Sequence, residues 1–232
     1  MDTLLQQIIS LDQSLLLQLN GSHSLFGDEV MMLVTSTWVS VPMFAVLLYV
    51  IARTGTPRYF LATLLAIALT ILVCDQVASG ICKPLFQRFR PTQDPSIMYL
   101  VDIVDGYRGG RYGFISSHAS NTFGLCVFLS LLIRHRGLSL LLLVWASLST
   151  YSRIYLGVHY PGDILFGLLV GCLSGYLCHW LLRWAGRRWL QVPPCNSSSA
   201  LCTPTGYRVS DVHMVMLTLL LTYATVLIIA CC

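Results

Sequence analysis

Charge is scarce in this 232-residue chain: Asp, Glu, Lys and Arg together make up 10% of it, against 56% hydrophobic residues. That excludes an ordinary water-soluble domain, in which roughly 25% of residues are charged. The net charge of +4 is too small to imply a nucleic-acid partner. The long apolar windows also lack the alternation of apolar and polar residues that marks the strands of a membrane barrel. CxxC and HxxxH spacings are missing, so the common zinc frameworks are excluded and no metal or cofactor is expected. The start, "MDTLLQQIISLDQSLLLQLN", has no basic segment before its apolar residues and does not read as a signal peptide. No internal repeat is present.

What is present is a series of Leu, Val, Ile, Phe and Ala windows, several longer than the roughly 18 residues that suffice for a bilayer span. In hydrocarbon a backbone satisfies its own hydrogen bonds only as helix or closed barrel, so the windows are helices. The expected fold is an all-α polytopic membrane bundle with about six transmembrane helices, near residues 30–52, 57–79, 116–133, 138–156, 162–182 and 211–230. Residues 1–24 form an interfacial amphipathic segment, with Leu4, Leu5, Ile8, Ile9, Leu15, Leu16 and Leu19 as its apolar side. Residues 25–182 are one helical membrane domain. Residues 183–210, rich in Pro, Ser, Thr and Gly, are a cytoplasmic linker, and 211–232 are a further transmembrane helix.

Basic residues set the orientation, because Lys and Arg near span ends stay on the cytoplasmic side. The loops after the first, third and fifth spans carry Arg53, Arg58, Arg134, Arg136, Arg183, Arg187, Arg188 and Arg208. The opposite loops carry Lys83, Arg88, Arg90, Arg108, Arg111 and Arg153, a narrow margin that widens if some of these six are held by chemistry. Both termini are then outside. Cys74, Cys82, Cys126, Cys172 and Cys178 lie in or beside apolar spans as small hydrophobes, and Cys195 and Cys202 fall in the cytoplasmic loop as reduced thiols.

Three polar clusters interrupt the apolar pattern, each at a span end and all on one membrane side. Lys83 and Arg90 follow the second span, with Pro91 as a helix stop; alone, they read more readily as snorkelling anchors than as a site. Ser116, Ser117 and His118 open the third span, where free backbone N–H groups suit a phosphate, although a serine there also serves as a plain helix cap. Ser152 and Arg153 end the fourth span, and His159 and Asp163 stand four apart at the start of the fifth, placing the carboxylate beside the imidazole. A structural Arg153–Asp163 ion pair is the plainer alternative. Ionisable groups inside a membrane are costly and mark a site or a mutual pairing. Together the clusters offer three cations for a dianion, a helix N-terminus to seat it and two histidines to attack and exchange protons, a set suited to phosphoryl transfer to histidine. Asp75, eight residues before Lys83, is either an orienting partner for that cation or an interhelical hydrogen-bonding group.

"KPLFQRFRP", "SSHAS" and "SRIYLGVHYPGD" resemble the KxxxxxxRP, PSGH and SRxxxxxHxxxD motifs of the PAP2 (type 2 phosphatidic acid phosphatase and haloperoxidase) superfamily. The first and third match in spacing. The second has Ile115 in place of Pro and Ser117 in place of Gly. The resemblance implies that Lys83, Arg90 and Arg153 bind phosphoryl oxygens with Ser116 and the backbone N–H of Ser117. It implies further that His159 attacks phosphorus with Asp163 orienting it, that His118 protonates the leaving oxygen and then activates water, and that no metal takes part. Asp75 and Ser152 are possible supporting residues.

The function expected on this basis is a bacterial inner-membrane lipid phosphate phosphatase working at the periplasmic face. The compact build is similar to small envelope lipid phosphatases acting on lipid A (4′- or 1-phosphate), undecaprenyl diphosphate or phosphatidylglycerophosphate. The lean towards lipid A comes from Arg88, Arg108 and Arg111, which are available to hold an anionic sugar head group. A transporter, the competing class, calls for charges at several depths or broken helices mirrored in two halves, and neither is found. A vanadate-dependent oxidant shares the motifs but not the many spans.

Overall fold

The computed structural model describes residues 2–21, 24–189 and 201–231. Among these the chain is helical with two isolated β-bridges and no sheet. The helices are α1 (Asp2–Leu19), α2 (Leu25–Thr35), α3 (Thr37–Thr54), α4 (Pro57–Asp75), α5 (Lys83–Phe86), α6 (Ser117–Ile133), α7 (Arg136–Tyr155), α8 (Pro161–Trp189) and α9 (Val209–Ala230). A π-helical segment, Gln76–Cys82, joins α4 to α5 without a break.

Five helical runs are long and apolar enough to cross a bilayer: Thr37–Thr54, Pro57–Phe86, Arg136–Tyr155, Pro161–Gly186 and Val209–Ala230. The sixth apolar helix, the 17-residue α6, is shorter and largely buried among the others. The chain is a multi-pass membrane protein, and its outward leucines, such as Leu61, Leu65, Leu169, Leu173, Leu217 and Leu221, are exposed where hydrocarbon would meet them. Packing inside the bundle rests on close contact, since lipid tails compete equally for apolar surface.

That contact is closest between α6 and α8. Gly167, Gly171 and Gly175 stand four apart on α8, and a Cβ at each would strike the backbone carbonyl of Ser116, Ser120 and Gly124 respectively. This stripe of small residues lets the two backbones touch, which locks the N-terminus of α6 to the start of α8. The polar clusters expected at those two helix starts are thereby held together.

Several boundaries differ from the sequence reading. The first span, expected as 30–52, is two helices: Ser36 closes α2 by donating its N–H to the Leu33 carbonyl, and α3 restarts at Thr37. The second runs on to Phe86 and ends where Gln87 takes a left-handed conformation (φ 46°), before Pro91 is reached. Helix α8 continues to Trp189, so the segment expected as a linker from residue 183 starts as helix. Its described end is folded too: Thr205 Oγ1 donates to the Ile133 carbonyl (2.8 Å), and Tyr207, fully buried, meets the Tyr59 hydroxyl at 3.2 Å. The expectation of a reduced Cys202 is corrected, because Cys202 is disulfide-bonded. Cys195 lies outside the described residues.

Helix α1 leaves Leu4, Leu5, Ile8 and Leu11 exposed. Its C-terminal half packs on the bundle: Leu16 is fully buried against Ile97, Val101, Ile154 and Tyr160. Its end is tied down by Asn20, whose Nδ2 donates to the carbonyls of Tyr155 (2.6 Å) and Asp102 (3.1 Å).

Candidate active site

The site begins with the turn between α7 and α8. Residues 152–160 are all buried. The chain reverses by donating Leu156 N–H to the Ser152 carbonyl, Gly157 N–H to Ile154 and Val158 N–H to Arg153, with Gly157 at φ +66° where a side chain would collide with Val101. Tyr160 N–H then caps onto Asp163 Oδ2 at 3.1 Å. This fold of the chain sets the His159 ring, 1% exposed, with Nδ1 3.5 Å from Asp163 Oδ2.

The long loop supplies the second wall. Arg90 N–H donates to the Arg111 carbonyl and Gly113 N–H to the Arg88 carbonyl, with Phe89 and Tyr112 bridged between them. Arg90 is thereby pinned; its Nε donates to the Tyr112 carbonyl (3.2 Å) and its Nη1 to the Val158 carbonyl (3.4 Å). Gly113 lies so close that a Cβ there would sit 3.1 Å from both Arg90 Cγ and Asp163 Oδ2.

Lys83 arrives from the π-helical segment, where steps of four keep one face in line: Ser79 Oγ donates to Asp75 Oδ1 (3.2 Å) and Lys83 Nζ donates to Ser79 Oγ (3.0 Å). Such segments recur at functional sites. Lys83 Nζ also donates to Ser117 Oγ (3.1 Å), joining the second span to the N-terminus of α6. Of the two readings open for Asp75, the orienting one matches this chain of contacts. Ser116, fully buried, caps α6 by accepting from Ala119 N–H (3.4 Å), and its own N–H donates to the Asp163 carbonyl (3.0 Å).

Arg153 is buried and held by two hydroxyls that sequence reasoning missed, with Nη1 donating to Thr35 Oγ1 (2.7 Å) and Nη2 to Tyr107 (3.1 Å). Among the described residues its buried Nε has no hydrogen-bond partner. His118 Nε2 pairs with Ser149 Oγ at 2.8 Å, another unforeseen contact. Nothing in the sequence flagged these three residues, since Thr, Tyr and Ser are common at span ends. Ser152, named as a possible supporter, is spent on its own helix, donating to the Ser149 carbonyl (2.7 Å).

Among the described residues no carboxylate lies within salt-bridge distance of Lys83, Arg90 or Arg153. The expected alternative of an Arg153–Asp163 pair is therefore not what the structure has. Asp163 instead pairs through Oδ1 with Arg88 Nη1 at 2.9 Å. Burial, and after it the charges of Arg90, Arg153 and Lys83, hold the His159 imidazole well below its ordinary pKa. That shift favours the neutral ring, the form that can attack an electrophile. His118 and Ser149 also line a cavity of about 410 Å³ between α3, α4, α6 and α7, whose walls include Leu47, Leu64, Ile67 and Leu129.

A membrane helical bundle that converges three unpaired cations on a buried, carboxylate-backed histidine has the machinery of an integral-membrane phosphoryl-transfer enzyme. Residues 58–187 match the PAP2 superfamily, and the chain belongs to it. It is 41% identical to a lipid A 4′-phosphatase of Bacteroides thetaiotaomicron over 77% of this chain and 80% of that protein. It is 35% identical to a lipid A 4′-phosphatase of Porphyromonas gingivalis over 80% of this chain and 79% of that protein. A putative undecaprenyl-diphosphatase of Escherichia coli is 32% identical over 59% of this chain and 65% of its own length. No solved structure matches the chain.

Proposed function

We propose that this protein is a lipid A phosphatase, acting on the 4′-phosphate through a phosphohistidine formed at His159. The observation that carries the reading is the set of Lys83, Arg90 and Arg153 around His159, none of them within salt-bridge distance of a carboxylate among the described residues. Like charges gathered out of water are unfavourable unless an anion joins them, and a phosphate monoester dianion restores the balance. The orphaned Nε of Arg153 gains an acceptor in the same event.

In this mechanism Lys83, Arg90 and Arg153 hold the equatorial oxygens, with the Ser117 N–H at the N-terminus of α6 and the Ser116 hydroxyl contributing further donors, the Ser116 N–H being held by the Asp163 carbonyl. His159 Nε2 attacks phosphorus, and the contact between Nδ1 and Asp163 tightens as positive charge develops on the ring. His118, entering the step as imidazolium beside the bound phosphate dianion, gives a proton to the leaving sugar oxygen and becomes neutral; its Nε2 is engaged by Ser149, which leaves Nδ1 for that transfer. The same imidazole then takes a proton from water as water attacks the phosphohistidine. Asp75 acts on Lys83 through Ser79.

A lipid substrate is supported by the apolar cavity that opens beside His118, which suits a hydrocarbon chain better than a soluble head group. Lipid A is supported by the two relatives of that activity, each aligned over about four fifths of both chains. The head-group lean has to be redrawn. Arg88 is engaged by Asp12 and Asp163, which leaves Arg108 and Arg111, both exposed, as the basic residues outside the phosphate set.

We place the site at the periplasmic face. Once Lys83, Arg90 and Arg153 are assigned to phosphate and Arg88 to Asp163, the basic residues without a site role lie mostly at the opposite end, around Arg53, Arg58, Arg134, Arg136 and Arg208. The disulfide of Cys202, at that opposite end, pulls the other way, because cytoplasmic thiols stay reduced. Labelling from outside the cell separates the two signals.

The substrate test is phosphate release by the purified protein from lipid A, undecaprenyl diphosphate, phosphatidylglycerophosphate and a soluble phosphate ester. Fastest release from lipid A, with loss at the 4′ position by mass spectrometry, is expected. Faster turnover of undecaprenyl diphosphate would reassign the substrate.

A further inference from the structure

Asp12, on the amphipathic α1, lies 76 residues from Arg88 in sequence, yet its Oδ2 accepts from Arg88 Nη2 at 2.7 Å. Its other oxygen accepts the N–H of Gly162 at 2.7 Å, in the first turn of α8. Arg88 in turn donates from Nη1 to Asp163 Oδ1 at 2.9 Å and lies 4.0 Å over the ring of Tyr160. Asp163 is fully buried; Arg88 donates to its Oδ1, while Tyr160 N–H donates to Oδ2 and His159 Nδ1 lies 3.5 Å from that same oxygen. A Cβ on Gly162 would come within 2.8 Å of the Asp12 carboxylate, so glycine is what allows this close seating.

We infer that Asp12 and Arg88 are positioning residues for the reaction, aligning Asp163, and through it the His159 ring, from outside the phosphate pocket. A guanidinium bonded to Asp163 alone is less firmly oriented than one whose two terminal nitrogens donate to two carboxylates, one bond to each. Asp12 fixes one arm of the guanidinium, so the other arm fixes the plane of Asp163. The bond from Gly162 N–H sets the start of α8 against the same carboxylate. Asp163 in that plane keeps Oδ2 facing Nδ1, and Nε2 then points at the phosphoryl group. The N-terminal helix is thus part of the catalytic apparatus, although it carries none of the motif residues.

This rests on His159 being the attacking group. It predicts that Asp12→Asn lowers kcat by about tenfold or more while leaving KM and inhibition by vanadate nearly unchanged, because Lys83, Arg90 and Arg153 are untouched. Asp12→Glu should recover a good part of the loss, and Gln13→Ala, which removes the polar contact of α1 with Ser96, should be close to wild type. The decisive comparison is a double-mutant cycle: in an Asp163→Asn background, Asp12→Asn should cost little more. Equal losses in both backgrounds, or a loss matched by Gln13→Ala, would show that Asp12 only holds the helix in place and would overturn the inference. If wild-type protein turns over lipid A and Asp12→Asn is unimpaired, this inference alone falls. If turnover survives His159→Ala, the proposed mechanism falls with it.

Discussion

Lys83 and Ser117 meet at 3.1 Å, although they belong to different spans and lie 34 residues apart. The contact brings the one lysine of the site to the helix N-terminus proposed to seat the phosphate, and the approach depends on Ser79, which links Lys83 to Asp75.

Replacing Ser79 with Ala removes that link without touching charge. One hydrogen bond to a charged group is worth about 1.5–3 kcal/mol, so kcat/KM should fall roughly tenfold or more, with Asp75→Asn similar and the two together little worse. Steady-state kinetics on the purified variants checks this. Additive losses would separate Asp75 from Lys83.

His159→Ala should remove turnover altogether, and Asp163→Asn should leave a small residue of activity, on the order of 10⁻⁴ of wild type by analogy with other carboxylate-backed histidines. Wild-type rates in His159→Ala would end the assignment.

The pH profile follows from the same ring. Burial first, then Arg90, Arg153 and Lys83, lower the His159 pKa, so the neutral nucleophile persists as pH falls through about 6.5, where an ordinary histidine protonates. The acid limb of kcat/KM should therefore lie below that value, and Arg90→Gln should move it upward in whatever activity remains. A limb at or above 6.5 in the wild type contradicts the electrostatic account.

Gly171 tests the scaffold. A leucine there would drive into the Ser120 carbonyl across the α6–α8 contact. Overpacking costs typically about 1–3 kcal/mol, and thermal unfolding in detergent should show it together with loss of activity, since the two helix starts carry Ser116, His118 and Asp163. An unchanged melting curve would mean the helices are not locked as described.

Much of the site was legible because its charges are conspicuous in an apolar chain: Arg153, His159 and Asp163 stand at fixed steps, and Lys83 and Arg90 flank a helix end. The supporting contacts were not legible. Thr35, Tyr107 and Ser149 are ordinary residues whose roles come only from tertiary placement. Asp12 looked like one polar residue among several on an amphipathic helix, and Arg88 like a free cation for a head group. The break at Ser36 and the π-helical Gln76–Cys82 are also invisible to hydropathy, because one ends a helix and the other changes its winding without changing the apolar pattern.

Sidedness is measured by placing single cysteines in the 94–110 loop or beside Arg134 of a cysteine-depleted variant and adding an impermeant thiol reagent to intact cells. Labelling is expected in the loop and not beside Arg134. The reverse pattern would turn the site to the cytoplasm and agree with an oxidised Cys202.

The most direct measurement is to mix the enzyme with lipid A labelled in its 4′-phosphate, quench within a single turnover at alkaline pH, where phosphohistidine survives, and locate the label by peptide mass spectrometry. The account predicts transient phosphate on the peptide bearing His159, accumulating further when His118→Ala slows attack by water, and none in His159→Ala. Phosphate on His118 or a serine, or full turnover with no phosphoenzyme at any time, would contradict it.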